Sequence, residues 1–92
     1  MIVARFIGLL MDIVGRAKVE VEAEGAMTLH ELIRIISESY NRDFERAVLA
    51  EEGISTNVVI LLNGKSAGLF GGLKAVVDAG DEVVFMPFIG GG

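Results

Sequence analysis

Met27-Thr28-Leu29-His30-Glu31-Leu32-Ile33-Arg34-Ile35-Ile36-Ser37-Glu38-Ser39-Tyr40 carries the pattern on which the fold turns. Thr28 and Glu31 have the S/T-x-x-E spacing of a capping box, which satisfies backbone N–H groups that a helix start leaves unpaired. Met27 and Leu32 stand where a hydrophobic staple closes over that cap. Leu29, Leu32, Ile33, Ile36 and Tyr40 then recur at helical spacing, which predicts a helix over 29–40 with one apolar stripe. Such a stripe has to be covered by a sheet or by another helix.

The segments on either side supply a sheet. Residues 2–9, Ile-Val-Ala-Arg-Phe-Ile-Gly-Leu, are rich in β-branched and aromatic side chains and read as a mostly buried strand. Residues 18–23 alternate polar and apolar with period two, the pattern of a strand with one wet face. Gly15-Arg16 punctuates the link between them, so the two form an N-terminal hairpin. Downstream of the helix, residues 43–50 read as a short second helix capped by Asp43 and ended by Glu51-Glu52-Gly53. Asn57-Val58-Val59-Ile60-Leu61-Leu62 is almost continuously apolar, as a central strand covered on both faces should be. Asn63-Gly64 is a tight-turn signal, because both residues tolerate positive φ.

Residues 65–72 read as an irregular, glycine-rich connection, and 73–77 as a brief strand or a turn of helix. Asp78-Ala79-Gly80-Asp81 makes another turn, and Glu82-Val83-Val84-Phe85-Met86 is the last strand. Pro87 has no N–H for a ladder, so it stops that strand or confines it to an edge. The expected fold class is α+β: a mixed sheet with one main helix packed on one face. Residues 1–86 form the domain, and 87–92 form a flexible tail.

Composition excludes several kinds of chemistry. Ninety-two residues make one domain with a modest core. With no cysteine, the chain has no disulfide, zinc thiolate site, iron–sulfur ligation or catalytic thiol. A formal net charge of -5 argues against nucleic acid, whose phosphates need Lys and Arg. Met1 to Met11 is apolar, but Arg5 interrupts it and no basic segment precedes it, so it reads as a strand and not as a signal peptide. No apolar run approaches the ~20 residues that span a bilayer. The expected location is cytoplasmic, with no membrane partner. The apolar fraction of 52% is high for a small domain and implies either a dense core or an exposed partner surface.

Catalytic constellations are nearly absent. His30 is the only histidine, so a two-histidine metal site is impossible and no metal site is expected; in the first turn of the helix it reads as solvent-facing. Glu51-Glu52 reads as a solvated loop pair, since adjacent carboxylates rarely converge on one substrate. Gly68, Gly71 and Gly72 fit neither the P-loop nor the dinucleotide fingerprint, and read as a flexible connection.

The tail is different. Pro87-Phe88-Ile89-Gly90-Gly91-Gly92 follows a strand directly. Three glycines carry no side chains and can thread a narrow channel in a partner enzyme. The Gly92 carboxylate is ionised at neutral pH. An exposed carboxylate can attack a nucleotide phosphate to form an acyl-adenylate. Phe88 and Ile89 can each return roughly 1.5–3 kcal/mol when buried in a partner, against an ordering cost of roughly 1–2 kcal/mol per residue. Phe85 and Phe88 are expected to share an apolar interface patch on the sheet near the tail.

The Leu62-Asn63-Gly64 turn, the Asp78-Ala79-Gly80-Asp81-Glu82-Val83 segment, and Phe85-Met86-Pro87 leading to Gly91-Gly92 together resemble the ubiquitin-like β-grasp sulfur carriers. These are the molybdopterin synthase small subunit (MoaD), the thiamine sulfur carrier (ThiS) and the related archaeal ubiquitin-like modifiers. The resemblance spans the whole chain. It implies a β-grasp fold with no catalytic side chains of its own. It further implies that Gly92 is adenylated by an E1-like enzyme using ATP and magnesium, and is then converted to a thiocarboxylate by a sulfur donor. In a molybdopterin synthase the tail enters the large subunit and gives its sulfur to precursor Z. Pro87, Phe88, Ile89, Gly90 and Gly91 would contact these partners, with Phe85 beside them, and no cofactor stays bound. Where molybdopterin synthase subunits often have a second proline, this chain has Phe88, and where they often have Ser or Thr before the diglycine it has Gly90. Two alternatives stay open: a protein modifier joined through Gly92 to target lysines, and an interaction module with an inert tail.

Overall fold

The computed structural model describes residues 1–88. Nine strands and three α-helices follow one another as β1 (Ile2–Phe6), α1 (Leu9–Val14), β2 (Lys18–Val21), β3 (Met27–Thr28), α2 (Leu29–Ser39), α3 (Asp43–Val48), β4 (Leu49–Ala50), β5 (Gly53–Ile54), β6 (Val58–Leu62), β7 (Lys65–Ser66), β8 (Val76–Val77) and β9 (Glu82–Pro87). The main sheet has the order β2-β1-β9-β6-β7. β9 runs parallel to β1 and antiparallel to β6, while β1–β2 and β6–β7 are antiparallel. The sheet is therefore mixed, as expected, and the last strand lies at its centre. Two small ribbons, β3–β8 and β4–β5, flank it.

Period-two alternation divides the sheet into two faces. Ile2, Ala4 and Phe6 of β1, Val83 and Phe85 of β9, and Ile60 and Leu62 of β6 point inward and are buried. They meet Leu29, Leu32, Ile33 and Ile36, the stripe on α2. The α2 start follows the sequence pattern: Glu31 N–H donates to Thr28 Oγ1 at 3.1 Å. The stripe departs from expectation at its end. Tyr40 is exposed, with the Arg16 guanidinium 5.5 Å from its ring centre. Ser37 continues the buried face instead: its hydroxyl donates toward Asn41 O and Arg42 O and accepts from Glu45 N–H. Those bonds fold the chain from α2 into α3, so a buried polar side chain sets the helix corner at no cost in unsatisfied groups.

Three other local readings change. The first strand stops at Phe6, and Leu9 begins α1 instead of ending a strand. The link between β1 and β2 is thus a short helix packed on the core through Leu10 and Val14. The cap before α3 is Asn41, not Asp43: Asn41 Oδ1 accepts the Asp43 N–H at 2.9 Å, and its Nδ2 donates to Ile13 O, tying α1 to α3. The 65–72 stretch is not a loose connection. It holds β7 and a 3₁₀ turn over Ala67–Phe70, and a second 3₁₀ turn over Gly72–Lys74 follows; Gly71, at φ +99°, joins the two turns.

The two turn motifs that looked separate in sequence are laced together. Asn63, at φ +49°, turns β6 into β7. Its Oδ1 accepts from Glu82 N–H at 2.9 Å, its Nδ2 donates to Asp81 Oδ1 at 3.1 Å, and its own N–H donates to Glu82 O at 2.8 Å. Asp81 Oδ2 in turn accepts from Asp78 N–H. Asn63 thereby fixes the start of β9 against the end of β6.

The Thr28 cap gives a direct stability test. Thr28→Ala should lower the unfolding free energy by about 1 kcal/mol, read as a shift in urea midpoint with unchanged slope; no shift would mean the cap is replaced by another acceptor or by water.

Candidate functional site

The place where β9 leaves the sheet is built from three converging pieces. The first is the strand end. Pro87 is its last residue, opposite Val58, and the next N–H, from Phe88, donates to Asn57 O at 2.8 Å. The strand therefore runs one residue past the boundary read at residue 86. Pro87 sits in a central strand, not on an edge, and it fits because of what its neighbour does. The last β1-side bond is Ile7 N–H to Phe85 O at 3.0 Å. By strand alternation the Pro87 nitrogen faces the same side, but there the chain has already turned away into α1. A missing N–H costs no ladder bond at that position.

The second piece is that turn. Gly8 has φ +64° and ψ -135°, a conformation that side chains strongly disfavour. A Cβ on Gly8 would stand 3.2 Å from Pro87 Cγ. Gly8 therefore serves twice, reversing the chain and letting the Pro87 ring lie close against it. The direction in which residue 88 departs is set by this contact together with the Phe88 bond to Asn57.

The third piece is an apolar surface. On the outer face of the sheet Val59 lies opposite Met86 and Leu61 opposite Val84, all half-buried. Arg5 and Glu82 border this stripe with a half-exposed ion pair at 2.8 Å. Around the strand end Ile7, Leu9 and Phe88 are exposed, Phe88 by 58%. A face of this kind marks a partner surface more often than chance exposure does.

Phe85 does not belong to that surface. It is fully buried, stacked on Phe6 with ring centres 5.5 Å apart and edge-on to Phe44 at 5.1 Å. Phe6 and Phe44 also meet edge-to-face at 5.4 Å, so the three rings form one cluster beneath the strand end. Alternation puts Phe85 inward with Val83 and puts Val84 and Met86 outward. The outward-facing apolar residues that sequence reasoning missed are thus Val84, Met86, Val59 and Leu61. The signal was obscured because 83–86 is apolar on both faces. Pro87 and Phe88 lie at the strand end, Pro87 half-buried and Phe88 exposed. Ile89, Gly90, Gly91 and Gly92 lie outside the described residues.

Other sequence candidates are not catalytic assemblies. His30 is half-buried and lines an open, solvent-accessible cleft with Thr28, Glu52 and Lys74. Among the described residues no three His, Asp or Glu side chains cluster as a metal site would require. No helix of the described residues is long and apolar enough to cross a membrane.

A mixed five-stranded sheet, one dominant helix on its inner face, and a central last strand running into a glycine tail define the ubiquitin-like β-grasp class. The chain belongs to the ThiS family, whose model matches residues 4–92, and so to the sulfur carriers. A protein of Archaeoglobus fulgidus named as a candidate sulfur carrier is 29% identical over 79 residues, covering 86% of this chain and 89% of that one. In structure, a chain of the BexX/CysO complex of Amycolatopsis orientalis matches with a TM-score of 0.84 at 22% identity, over 100% of both chains. SAMP1 of Haloferax volcanii, a small archaeal modifier protein, matches at 0.78 and 20% identity, over 99% of this chain and 98% of that one.

Gly8→Ala tests how the strand end is built. Forcing a Cβ into that backbone conformation and against Pro87 should cost roughly 1–3 kcal/mol, measured by thermal or chemical unfolding. A neutral effect would show that Pro87 and the turn move aside freely.

Proposed function

We propose that this chain carries sulfur on the Gly92 carboxyl group. An E1-like enzyme binds the outer face of the sheet and draws the tail into its active site. A carboxylate oxygen of Gly92 attacks the α-phosphate of magnesium-bound ATP, and pyrophosphate leaves. Sulfur at the sulfide level from a donor attacks the acyl carbon, AMP leaves, and Gly92 becomes a thiocarboxylate. The finer reading is the small subunit of a molybdopterin synthase, whose large subunit takes the sulfur from the inserted tail. The observation that carries the proposal is the end of β9, where Phe88 leaves the central strand. Pro87 packs against Gly8 there, beside the apolar outer face of Val59, Leu61, Val84 and Met86.

The domain contributes placement and not chemistry. Among the described residues no three His, Asp or Glu side chains cluster as a metal site would, and activation is assigned to the partner. A rigid exit reduces the ordering cost that the tail would otherwise incur on entering a channel. A second reading, conjugation of Gly92 to target lysines, is favoured by the likeness to a small archaeal modifier protein. It needs the same adenylate and differs in the nucleophile that resolves it.

Intact-mass analysis separates these readings. Protein incubated with its activating enzyme, ATP, magnesium and a sulfur donor should gain the mass of one oxygen-to-sulfur exchange, and Gly92 deletion should abolish it. No exchange under those conditions would overturn the carrier reading, and lysine adducts bearing the C-terminal glycines would support the modifier. Loss of molybdenum-enzyme activity in cells lacking the chain supports the molybdopterin assignment, and retained activity removes it.

The docking face has its own test. Val84→Asp should slow adenylation about tenfold or more while the circular dichroism spectrum stays that of the folded protein; an unchanged rate would place the enzyme elsewhere.

A further inference from the structure

The end of β9 away from Pro87 adjoins a second surface that the proposed sulfur chemistry does not use. An open groove of about 560 Å³ lies between the β6–β7 turn, the first 3₁₀ turn and β8. Leu62, Phe70, Val76 and Val77 make its apolar walls, and Lys65 and Lys74 line it as well. Phe70 is 50% exposed and Val76 64%, and neighbouring Leu69 is 73% exposed. Large apolar side chains displayed this openly beside a concave surface mark a binding site more often than a solvated loop.

The charge around the groove runs against the rest of the chain. Thirteen acidic residues outnumber eight basic ones overall, yet no acidic residue falls between Glu52 and Asp78. Lys65 and Lys74 are the charged residues of that stretch, and neither makes an ion pair among the described residues. Asp81 is the one carboxylate on the groove wall, and both its oxygens are engaged by Asn63 Nδ2 and the Asp78 N–H. The groove therefore offers two lysine ammonium groups beside apolar walls, on a protein whose net charge is -5.

We infer that this groove docks a short segment of a partner protein in which acidic side chains lie next to apolar ones. The lysines match a few carboxylates, and the apolar walls match the side chains between them. A long polyanion such as nucleic acid, or an anionic membrane, would also meet the acidic remainder of the surface and be repelled. β9 starts beside the groove and ends at the tail, and six strand residues span roughly 17–20 Å. A partner here and an enzyme at the tail can thus be bound together. The inference stands apart from the thiocarboxylate reading, because it involves neither the tail nor the outer sheet face.

Selection of a random linear peptide library on the full chain tests it. Enriched peptides should combine acidic and apolar residues, and should shift the amide resonances of Leu62, Phe70 and Val76 in the labelled protein. The Lys65→Glu/Lys74→Glu double variant should weaken their binding by about tenfold or more, while deletion of Gly92 should leave it unchanged. Both lysines are exposed, so the double variant should stay folded, which its amide spectrum verifies. Failure to enrich any peptide, enrichment of neutral or basic peptides, or equal binding by the double variant would overturn the inference. So would a dimer in sedimentation that the double variant dissociates, since that would place a second copy in the groove.

Discussion

Strand β9 is hydrogen-bonded along both edges, to β1 on one side and to β6 on the other, and everything else in the domain is arranged around that pairing. Its inward side chains, Val83 and Phe85, join the helix stripe and the Phe6–Phe44 cluster. Its outward side chains, Val84 and Met86, form half of the apolar outer face. Its first residue is held by Asn63 and its last is held against Gly8. One strand thus links the core, the apolar outer face and the residues that lead into the tail. A disturbance of its register by one residue would exchange core and surface side chains along its whole length.

The frame was readable because several independent signals agreed. The cap at Thr28 and the stripe from Leu29 to Ile36 fixed α2, and the apolar run with Asn63-Gly64 fixed β6 and its turn. What escaped reading has physical causes. Leu9, Leu10, Met11, Ile13 and Val14 are apolar almost all round, so a six-residue helix looks like the continuation of a strand. A central strand is apolar on both faces, so nothing in 83–86 marks Phe85 as inward and Met86 as outward; pairing with β1 and β6 decides it. Ser37 escaped because a polar residue in a buried stripe is satisfied only by the helix corner it creates.

The candidate site is a strand end, not a pocket, and a site of that kind carries no conventional motif. No titratable group among the described residues is drawn into a nucleophile–base arrangement. The precision lies instead in backbone geometry at Gly8 and Pro87, which a search for reactive side chains does not detect. The family relationship and the β-grasp architecture set this backbone geometry in a sulfur-carrier domain.

The sheet's middle is also its final segment to be synthesised. Val3 pairs with Glu82 and Phe6 with Phe85, so the parallel ladder closes a loop of nearly the entire chain. Contacts that distant form late, because the entropy of closing the loop has to be offset before any pairing stabilises it. On the ribosome, β1 and β6 have no partner between them until β9 emerges. A product truncated before Phe85 lacks both the middle of the sheet and the hub of the aromatic cluster, and is left as a substrate for proteolysis. Any copy that has folded already contains Pro87, so completion of the fold itself certifies that translation reached the threshold of the tail.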